Sequence, residues 1–241
     1  MKCILLAAGT SGRILSVSKG YPKPLIKINK KSIIRRNINW LLKYKVKNIF
    51  VNLFFKPKLI INEINKLNKN INFTFSLEKK LLGTAGAVKK IEKKLGKNFL
   101  VIYSDNLLNF NIKKFINFHK RKKSDLSIAL YSPSVNFFSG LASSNININK
   151  NNKIISFKEK RNKNSKKNIY VNTGAYIVNK SILNKIPKNT FYDFSSDLFP
   201  QLINKNFYGY VIEKEGYCLG IDTPETYKKS LEIIKKYKIF Q

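Results

Sequence analysis

The sequence has 241 residues, 43% of them hydrophobic, which is enough for one sizeable core in a single domain. Its net charge of +34 comes from lysines spread along the whole chain, so nucleic-acid binding is not the main expectation, although anionic ligands should be attracted. A lone histidine, His119, excludes chemistry that needs two histidines, and we expect it to be solvated. No apolar run is long enough for a membrane span, no leader segment is evident, and two cysteines in apolar runs suit a reducing cytoplasm.

The chain opens with an apolar run, residues 4–6, of the kind that a buried strand shows. A turn of small residues follows, and it allows the backbone to approach a ligand closely while successive N–H groups converge on an anion. Arg13 comes directly after this turn, and Lys23 lies between two prolines. A strand, an amide-rich turn and two cations predict a polyphosphate site.

Strand-like and helix-like segments alternate along the rest of the chain, which predicts an α/β fold with a mainly parallel sheet. Ser32 is the expected N-cap of a helix that runs to residue 44, and Ser195 or Ser196 is expected to cap a helix within 191–203. The predicted strands cover residues 2–6, 48–54, 71–77, 98–103, 125–131, 153–160, 169–178 and 207–212.

Three further segments place polar groups where a ligand could meet them. Gly83 and Thr84 predict a helix start, with Thr84 as the cap and free N–H groups at the positive end of the helix dipole. Asp105 follows a buried strand, and a carboxylate at the carboxyl end of a parallel strand lies at the ligand edge of such a sheet. Thr223 with Pro224 is a strong helix start near the end of the chain.

These segments resemble motifs of the nucleoside-diphosphate-sugar pyrophosphorylases, also called sugar-1-phosphate nucleotidyltransferases. Four stretches, residues 7–25, 78–88, 104–106 and 216–227, occur in the family's order. The first resembles LAAG-x-G-x-R followed by PKPL, with Ser11 where the family usually has glycine; the second resembles E-x-x-x-LGTAGA. The resemblance implies a Rossmann-like, GT-A-like three-layer fold around a mainly parallel mixed sheet. It also implies a nucleotide-binding half over 1–110 and a sugar-phosphate-binding half over 111–241.

The resemblance also implies roles for individual residues. It makes Arg13, Lys23 and Asp105 the catalytic group, with Asp105 holding Mg²⁺. It implies that the nucleotide contacts Leu6, Ala7, Ala8, Gly9, Thr10, Ser11, Gly12, Leu82, Gly83 and Thr84, and less firmly Glu78. It implies that the sugar phosphate contacts Glu159, Lys160, Asn172 and Gly174.

The last motif departs from the family form, Y-x-x-D-I-G-T-P-E-x-Y. The family's second metal-binding aspartate corresponds to Gly220, and Asp222 stands where glycine is usual. A shift of two residues along a strand keeps the same face, about 6–7 Å further along. We therefore expect Asp222 to be the second Mg²⁺ ligand; the alternative is that the ligand is lost and catalysis is weakened.

The implied reaction is transfer of a nucleoside monophosphate from an NTP to a sugar 1-phosphate, in the cytoplasm, with release of pyrophosphate. Similarity to mannose and heptose guanylyltransferases favours GTP, while UTP, dTTP or CTP, and phosphocholine as acceptor, stay open. Two other classes also stay open: a non-catalytic nucleotide-binding regulator and a basic nucleic-acid-binding protein. We expect no obligate nucleic acid and no membrane as partners, and the sequence leaves a homodimer open.

Overall fold

The computed structural model describes residues 1–67, 70–136, 144–158 and 170–240. The strands in these ranges are β1 (Cys3–Leu6), β2 (Lys27–Ile28), β3 (Lys31–Ser32), β4 (Asn48–Leu53), β5 (Asn72–Leu77), β6 (Asn98–Tyr103), β7 (Asn106–Asn109), β8 (Leu126–Tyr131), β9 (Asn145–Ile148), β10 (Ile154–Lys158), β11 (Val171–Asn179), β12 (Phe207–Val211) and β13 (Tyr217–Gly220). The α-helices are α1 (Leu15–Ser18), α2 (Ile33–Lys43), α3 (Pro57–Asn65), α4 (Gly83–Lys90), α5 (Ile112–Arg121) and α6 (Pro224–Lys236).

Seven strands form the central sheet in the order β12-β8-β11-β6-β1-β4-β5. Strand β11 is antiparallel to β6 and β8, and the other neighbouring pairs are parallel. The predicted mainly parallel mixed sheet is therefore confirmed. Because β1, β4 and β6 run in the same direction, the segments that follow them meet at one edge of the sheet.

Side-chain alternation along the strands divides the core into two layers. In β1, Leu5 packs into a cluster under α2, α3 and α5, whereas Ile4 packs into a cluster under α4 and the segment 182–202. Both side chains are fully buried. With helices on each face of the sheet, the molecule has the three-layer Rossmann-like arrangement that was predicted.

Strands β7 and β13 form a separate antiparallel pair, which we call the β7–β13 ribbon. At one end of the ribbon Asn106 pairs with Gly220, and at the other end Asn109 pairs with Tyr217. A third apolar cluster joins this ribbon to α6 and to the β2–β3 hairpin. The ribbon thereby brings the residues around Asp105 next to those that follow Gly220.

Two of the N-cap residues predicted from the sequence are confirmed by the structure, and two predictions are wrong. The Ser32 side chain accepts a hydrogen bond from the Arg35 N–H, and Thr223 forms a capping box with Thr226, so both predicted caps are confirmed. Thr84 is not the cap of α4, because the helix begins at Gly83 and Leu82 occupies the cap position.

The prediction that Ser195 or Ser196 caps a helix is also wrong. A π-helical turn covers Phe194–Leu198, so both serines lie inside it, and Asp193 is its N-cap residue. The Asp193 N–H donates to Asp197 Oδ2 at 2.6 Å. The Asp193 side chain does not cap this turn; it accepts a hydrogen bond from the Thr84 N–H at the start of α4.

The expectation that His119 is solvated is wrong as well. Its side chain is 2% exposed, and Nδ1 lies 2.9 Å from Ser127 Oγ on the neighbouring strand β8. Burial lowers the pKa of His119 to about 4. The imidazole is therefore a neutral packing group between α5 and the sheet. Over the described part of the chain, no helix combines the length and apolar character needed to cross a bilayer.

Candidate active site

The loop after β1 is fastened by two hydrogen bonds to other segments of the chain. The Ala7 N–H donates to Asn52 Oδ1 at 2.7 Å, and the Lys23 N–H donates to Ser11 Oγ at 2.7 Å. Ser11 has a left-handed backbone conformation, with φ 63°. The serine that replaces the family's usual glycine thus ties the loop to the segment that carries Lys23.

A cavity of about 360 Å³ opens against this loop. Its walls include all the residues predicted from the first motif except Ala8, which lines a neighbouring cavity. Asp105 borders both cavities, and so do Leu6 and Gly9. The structure therefore brings the predicted loop residues, Arg13, Lys23 and Asp105 into one cleft.

Lys23 is the centre of the charged cluster in this cleft. Its Nζ lies 2.6 Å from Asp222 Oδ1 and 3.6 Å from Asp105 Oδ2. Arg13 Nη2 lies 3.7 Å from the same Asp222 oxygen. The Lys23 side chain is 9% exposed and that of Arg13 is 74% exposed, so a fixed cation lies inside the cleft and an adjustable one at its rim.

Asp222 reaches the cleft by a different route from the predicted one. Strand β13 ends at Gly220, and Asp222 lies in the turn before α6, so the argument from one face of a strand is wrong. A Cβ atom added to Gly220 would lie 3.9 Å from Asp222 Oδ2. The Asp222 carboxylate therefore lies next to the position that a side chain at residue 220 would take.

The environment of Asp105 opposes its negative charge. Burial raises the pKa of Asp105, the nearby Asp222 carboxylate raises it further, and the Lys23 ammonium partly offsets both effects. An additional cation between the two carboxylates would relieve this repulsion.

The residue types in the cleft fit a magnesium ion. Among the residues that the structure describes, no group of three or more His, Cys, Asp or Glu side chains surrounds a common point. Mg²⁺ is usually held by one or two carboxylates together with substrate phosphates rather than by an all-protein cage. Asp105 and Asp222 are such a pair, since both converge on the Lys23 ammonium.

The neighbouring cavity, about 190 Å³, lies between the loop and the start of α4. Glu78 forms part of its wall and is 7% exposed. Glu78 Oε1 accepts from Asn52 Nδ2 at 2.8 Å, and Oε2 accepts from the Leu82 N–H at 3.0 Å. Asn52 also holds Ala7, so this buried chain of hydrogen bonds links the loop to the second motif.

The turn at the start of α4 is held by a segment far along the sequence. Asp193 Oδ1 accepts from the Thr84 N–H at 2.7 Å and from Thr84 Oγ1 at 2.8 Å. Gly83 has φ +70°, and a Cβ atom there would lie 2.7 Å from the Tyr192 carbonyl oxygen. Gly83 and Thr84 line the cavity, whereas Leu82 is buried behind it.

The predicted sugar-phosphate residues are only partly described. Glu159 and Lys160 lie outside the described residues. Asn172 accepts from the Gly174 N–H at 2.8 Å and donates to the Tyr176 hydroxyl at 2.8 Å. Gly174 has φ +77° and packs tightly on Tyr103, because an added Cβ would lie 2.9 Å from the Tyr103 Cβ. Neither Asn172 nor Gly174 lines the two cavities.

The residues that were not predicted as site residues include Asn52, Tyr103 and Phe191, which line the neighbouring cavity, and Asp193, which binds Thr84. Asn52 had a usable signal, since it is a polar residue near the carboxyl end of an otherwise apolar strand. Tyr103 ends strand β6 two residues before Asp105. No local pattern indicates that Phe191 and Asp193 pack against a turn about a hundred residues earlier.

An α/β sheet with an amide-rich loop, a buried lysine and paired carboxylates at its carboxyl edge defines a nucleotide-binding enzyme. The chain belongs to the nucleotidyl transferase family, whose model matches residues 2–238. It is therefore a nucleotidyltransferase.

Individual relatives narrow the comparison. The chain is 29% identical over 239 residues to D-glycero-alpha-D-manno-heptose 1-phosphate guanylyltransferase of Aneurinibacillus thermoaerophilus, covering 98% of this chain and 100% of that protein. It is 26% identical to the enzyme of the same name from Campylobacter jejuni, covering 94% and 97% of the two chains. The crystal structure of HddC from Yersinia pseudotuberculosis complexed with GMP-PN has a TM-score of 0.79 at 29% identity, covering 96% of this chain and 98% of that one.

Proposed function

We propose that the protein transfers a GMP unit from GTP to a sugar 1-phosphate of the heptose or mannose type, giving a GDP-sugar and pyrophosphate. The observation that carries this proposal is the convergence of Lys23, Asp105 and Asp222 at the mouth of the loop cavity. Full-length similarity to two heptose 1-phosphate guanylyltransferases supports the choice of nucleotide and acceptor.

The reaction needs positioning and charge neutralisation more than covalent chemistry. An oxygen of the sugar phosphate forms a bond to the α-phosphorus, and the bond from that phosphorus to the pyrophosphate oxygen breaks. The loop amides and Arg13 hold the β- and γ-phosphates. Lys23, fixed inside the cleft, neutralises charge that develops on the α-phosphate and the leaving oxygen.

Asp105 and Asp222 are the proposed ligands of Mg²⁺. When bound, this ion would neutralise phosphate charge and align the phosphates with the attacking oxygen. Lys23 stands between the two carboxylates in their present positions. It therefore keeps them close together despite their mutual repulsion.

The neighbouring cavity, lined by Glu78 and the start of α4, is the proposed site for the base and ribose. Guanine presents two adjacent donors, N1–H and N2–H₂, whereas adenine and cytosine present one donor beside an acceptor. The buried Glu78 carboxylate offers only acceptor atoms to this cavity, which favours guanine. The sugar phosphate is proposed to bind at Glu159, Lys160, Asn172 and Gly174. Lys160 would steer its phosphate group.

A pyrophosphate-release assay tests the proposal. Purified protein with Mg²⁺ is incubated with each of GTP, ATP, UTP, dTTP and CTP, crossed with the 1-phosphates of heptose, mannose and glucose, and with phosphocholine. We expect release with GTP and a heptose or mannose 1-phosphate, and a GDP-sugar detectable by mass spectrometry.

A Glu78→Gln variant separates the base assignment from the reaction itself. Both Glu78 oxygens accept from protein donors, so the amide keeps one acceptor for the turn, while its NH₂ group opposes either Asn52 Nδ2 or the Leu82 N–H as well as the guanine donors; circular dichroism checks that the variant is folded. We expect the preference for GTP over ATP to narrow by about tenfold. Release with another nucleotide at a higher rate than with GTP would contradict the guanylyl assignment while leaving nucleotidyl transfer intact.

A further inference from the structure

Phe191 is a large aromatic side chain that stays mostly exposed at the edge of the active-site cleft. It lines the neighbouring cavity together with Glu78 and Gly83, and it is 57% exposed. It belongs to none of the three apolar clusters of the described residues, whereas the next residue, Tyr192, packs against one of them. The ring therefore has no part in the core, and a ligand that covered it would remove apolar surface from water.

The backbone on both sides of Phe191 is fixed, although the ring itself is exposed. The Tyr192 N–H donates to the Leu82 carbonyl oxygen, and the Tyr192 carbonyl oxygen accepts from the Gly86 N–H, both at 2.9 Å. On the other side, the Thr190 carbonyl oxygen lies so close to Gly86 that an added Cβ would approach it to 2.6 Å. The start of α4 therefore holds this segment in place, and little ordering is needed when a ligand meets the ring.

The other walls of the neighbouring cavity fit a flat ring with a polar edge. Ala8 and Gly9 are small, and a Cβ atom at Gly9 would meet nothing within 4 Å, so space is left beside the backbone there. Glu78 supplies acceptor oxygens in the same wall. A purine base carries its hydrogen-bonding atoms in the plane of the ring, so Glu78 can meet its edge while Phe191 meets its face.

We propose that Phe191 is a base-stacking residue that binds the face of the guanine ring of GTP while Glu78 accepts from its edge. This inference rests on the proposed function for the identity of the base, and it adds a residue that sets nucleotide affinity. Stacking tolerates every base, and a purine offers a larger face than a pyrimidine. Phe191 therefore favours purines over pyrimidines, whereas Glu78 separates guanine from adenine.

Equilibrium binding tests this role without catalysis. A Phe191→Trp variant introduces an indole at the cavity, and its emission is recorded as GTP is added with Mg²⁺, with free N-acetyltryptophanamide as the correction for absorbed light. We expect saturable quenching beyond any change in the wild-type protein, whose single tryptophan, Trp40, lines neither cavity of the cleft. Inorganic triphosphate, which has no ring, should give at most about a tenth of this quenching.

Kinetics of Phe191 variants separate an aromatic ring from apolar bulk. Phe191→Ala should raise the KM for GTP by about tenfold and change kcat by no more than about twofold, because stacking is present in both the ground state and the transition state. Phe191→Tyr should keep the wild-type KM, and Phe191→Leu should fall between. The preference for GTP over CTP should narrow in Phe191→Ala, while the preference for GTP over ATP should stay unchanged.

Ile155→Ala is the matched control, because it also removes an exposed apolar side chain. Ile155 of β10 is 45% exposed and lines neither cavity of the cleft. Its KM for GTP and its kcat should stay within about twofold of the wild-type values. Circular dichroism should show that every variant is folded.

Three results would overturn the role of Phe191. One is an unchanged KM for GTP in folded Phe191→Ala. Another is a rise in the KM for the sugar 1-phosphate alone, which would assign the ring to the acceptor. The third is equal quenching of Phe191→Trp by GTP and by inorganic triphosphate. A failed pyrophosphate-release assay would reject the proposed function but leave the quenching result unaffected, so the two proposals can fail separately.

Discussion

The two sides of the cleft are built in different ways. On the loop side, the functional groups are charged, and Lys23 and Arg13 face Asp105 and Asp222. The loop itself is fastened by single hydrogen bonds at Ala7 and Ser11. On the turn side, at Gly83 and Thr84, the contacts are close-packed, and the charged groups are two carboxylates that accept backbone hydrogen bonds, Asp193 and Glu78.

This difference predicts that substitutions on the two sides act on different quantities. A charge removed from the loop side changes stabilisation of the transition state, while most of the fold stays unaffected. A methyl group added on the turn side meets backbone atoms of a distant segment and changes the free energy of unfolding. Each prediction below tests one part of this contrast.

The largest effect is expected for Lys23→Ala. Removing a fixed cation next to the reacting phosphate should lower kcat by about a thousandfold. It also removes the group that lowers the pKa of Asp105, so the acid limb of the pH–rate profile should move to higher pH. Both quantities are measured with the pyrophosphate-release assay over a range of pH.

Lys27→Ala is the matched control for this variant, because Lys27 is exposed on β2 and does not line the cleft. Its kcat should stay within about twofold of the wild-type value. A Lys23→Ala enzyme with an unchanged kcat would remove the lysine from the mechanism and end the contrast between the two sides.

Asp222→Asn should have the next largest effect. The loss of one proposed metal ligand should lower kcat/KM by about a hundredfold and raise the Mg²⁺ concentration needed for half-maximal rate. Glu225→Gln, at an exposed carboxylate in the first turn of α6, is the control and should change neither quantity.

A double variant, Gly220→Asp with Asp222→Gly, sharpens this test. A Cβ at position 220 meets no atom closer than Asn106 Oδ1 at 3.7 Å, and the new carboxylate would enter the space that Asp222 leaves. We expect the double variant to recover most of the activity lost in Asp222→Asn. An Asp222→Asn enzyme with a normal Mg²⁺ requirement would show that Asp222 is not a ligand.

On the turn side, Gly83→Ala should destabilise the fold. The added methyl group would lie 2.7 Å from the Tyr192 carbonyl oxygen, at a φ of +70° that alanine rarely adopts. We expect a loss of about 2–3 kcal/mol, which corresponds to a fall in Tm of about 5–10 °C in a chain of this length.

Gly96→Ala is the control for this loss, since its nearest atom would be at 3.9 Å, and its Tm should change by no more than about 2 °C. Thermal and urea unfolding measure both variants. Unchanged stability in Gly83→Ala would show that contact with the Tyr192 backbone does not hold the turn.

The same contrast explains which parts of the molecule the sequence could predict. The loop side follows local rules: a strand is followed by small residues and cations, and a carboxylate follows a parallel strand. Arg13, Lys23 and Asp105, which these rules select, line one cavity. The turn side depends on Asp193, which no local pattern connects to Thr84. The N-cap of α4 was therefore wrongly assigned to Thr84, whereas Leu82 occupies that position.

Asp222 and His119 illustrate two other limits. The carboxylate of Asp222 was predicted to reach the cleft from a strand, but the strand ends before it, and only the three-dimensional path of the turn brings it there. His119 was assigned to solvent because its sequence neighbours are basic. Its burial depends on which face of α5 meets the sheet.

The smallest effect is expected away from the cleft, at His119. Burial lowers its pKa to about 4, whereas an unfolded chain has a histidine pKa near ~6.5. Between these values the unfolded state binds more protons than the folded state, so stability from this group is present above pH ~6.5 and is lost as pH falls towards ~4. Lowering the pH from about 7 to about 5 should therefore cost about 1–2 kcal/mol through His119.

His119→Gln isolates this contribution, because an amide can still meet the Ser127 hydroxyl but does not titrate. Urea unfolding at the two pH values should show a smaller pH-dependent loss in the variant than in the wild-type protein. If the two proteins lose equal stability, His119 is not the source of the acid sensitivity; Asp105 is not the source either, because its raised pKa makes the folded state bind protons more readily than the unfolded state as the pH falls.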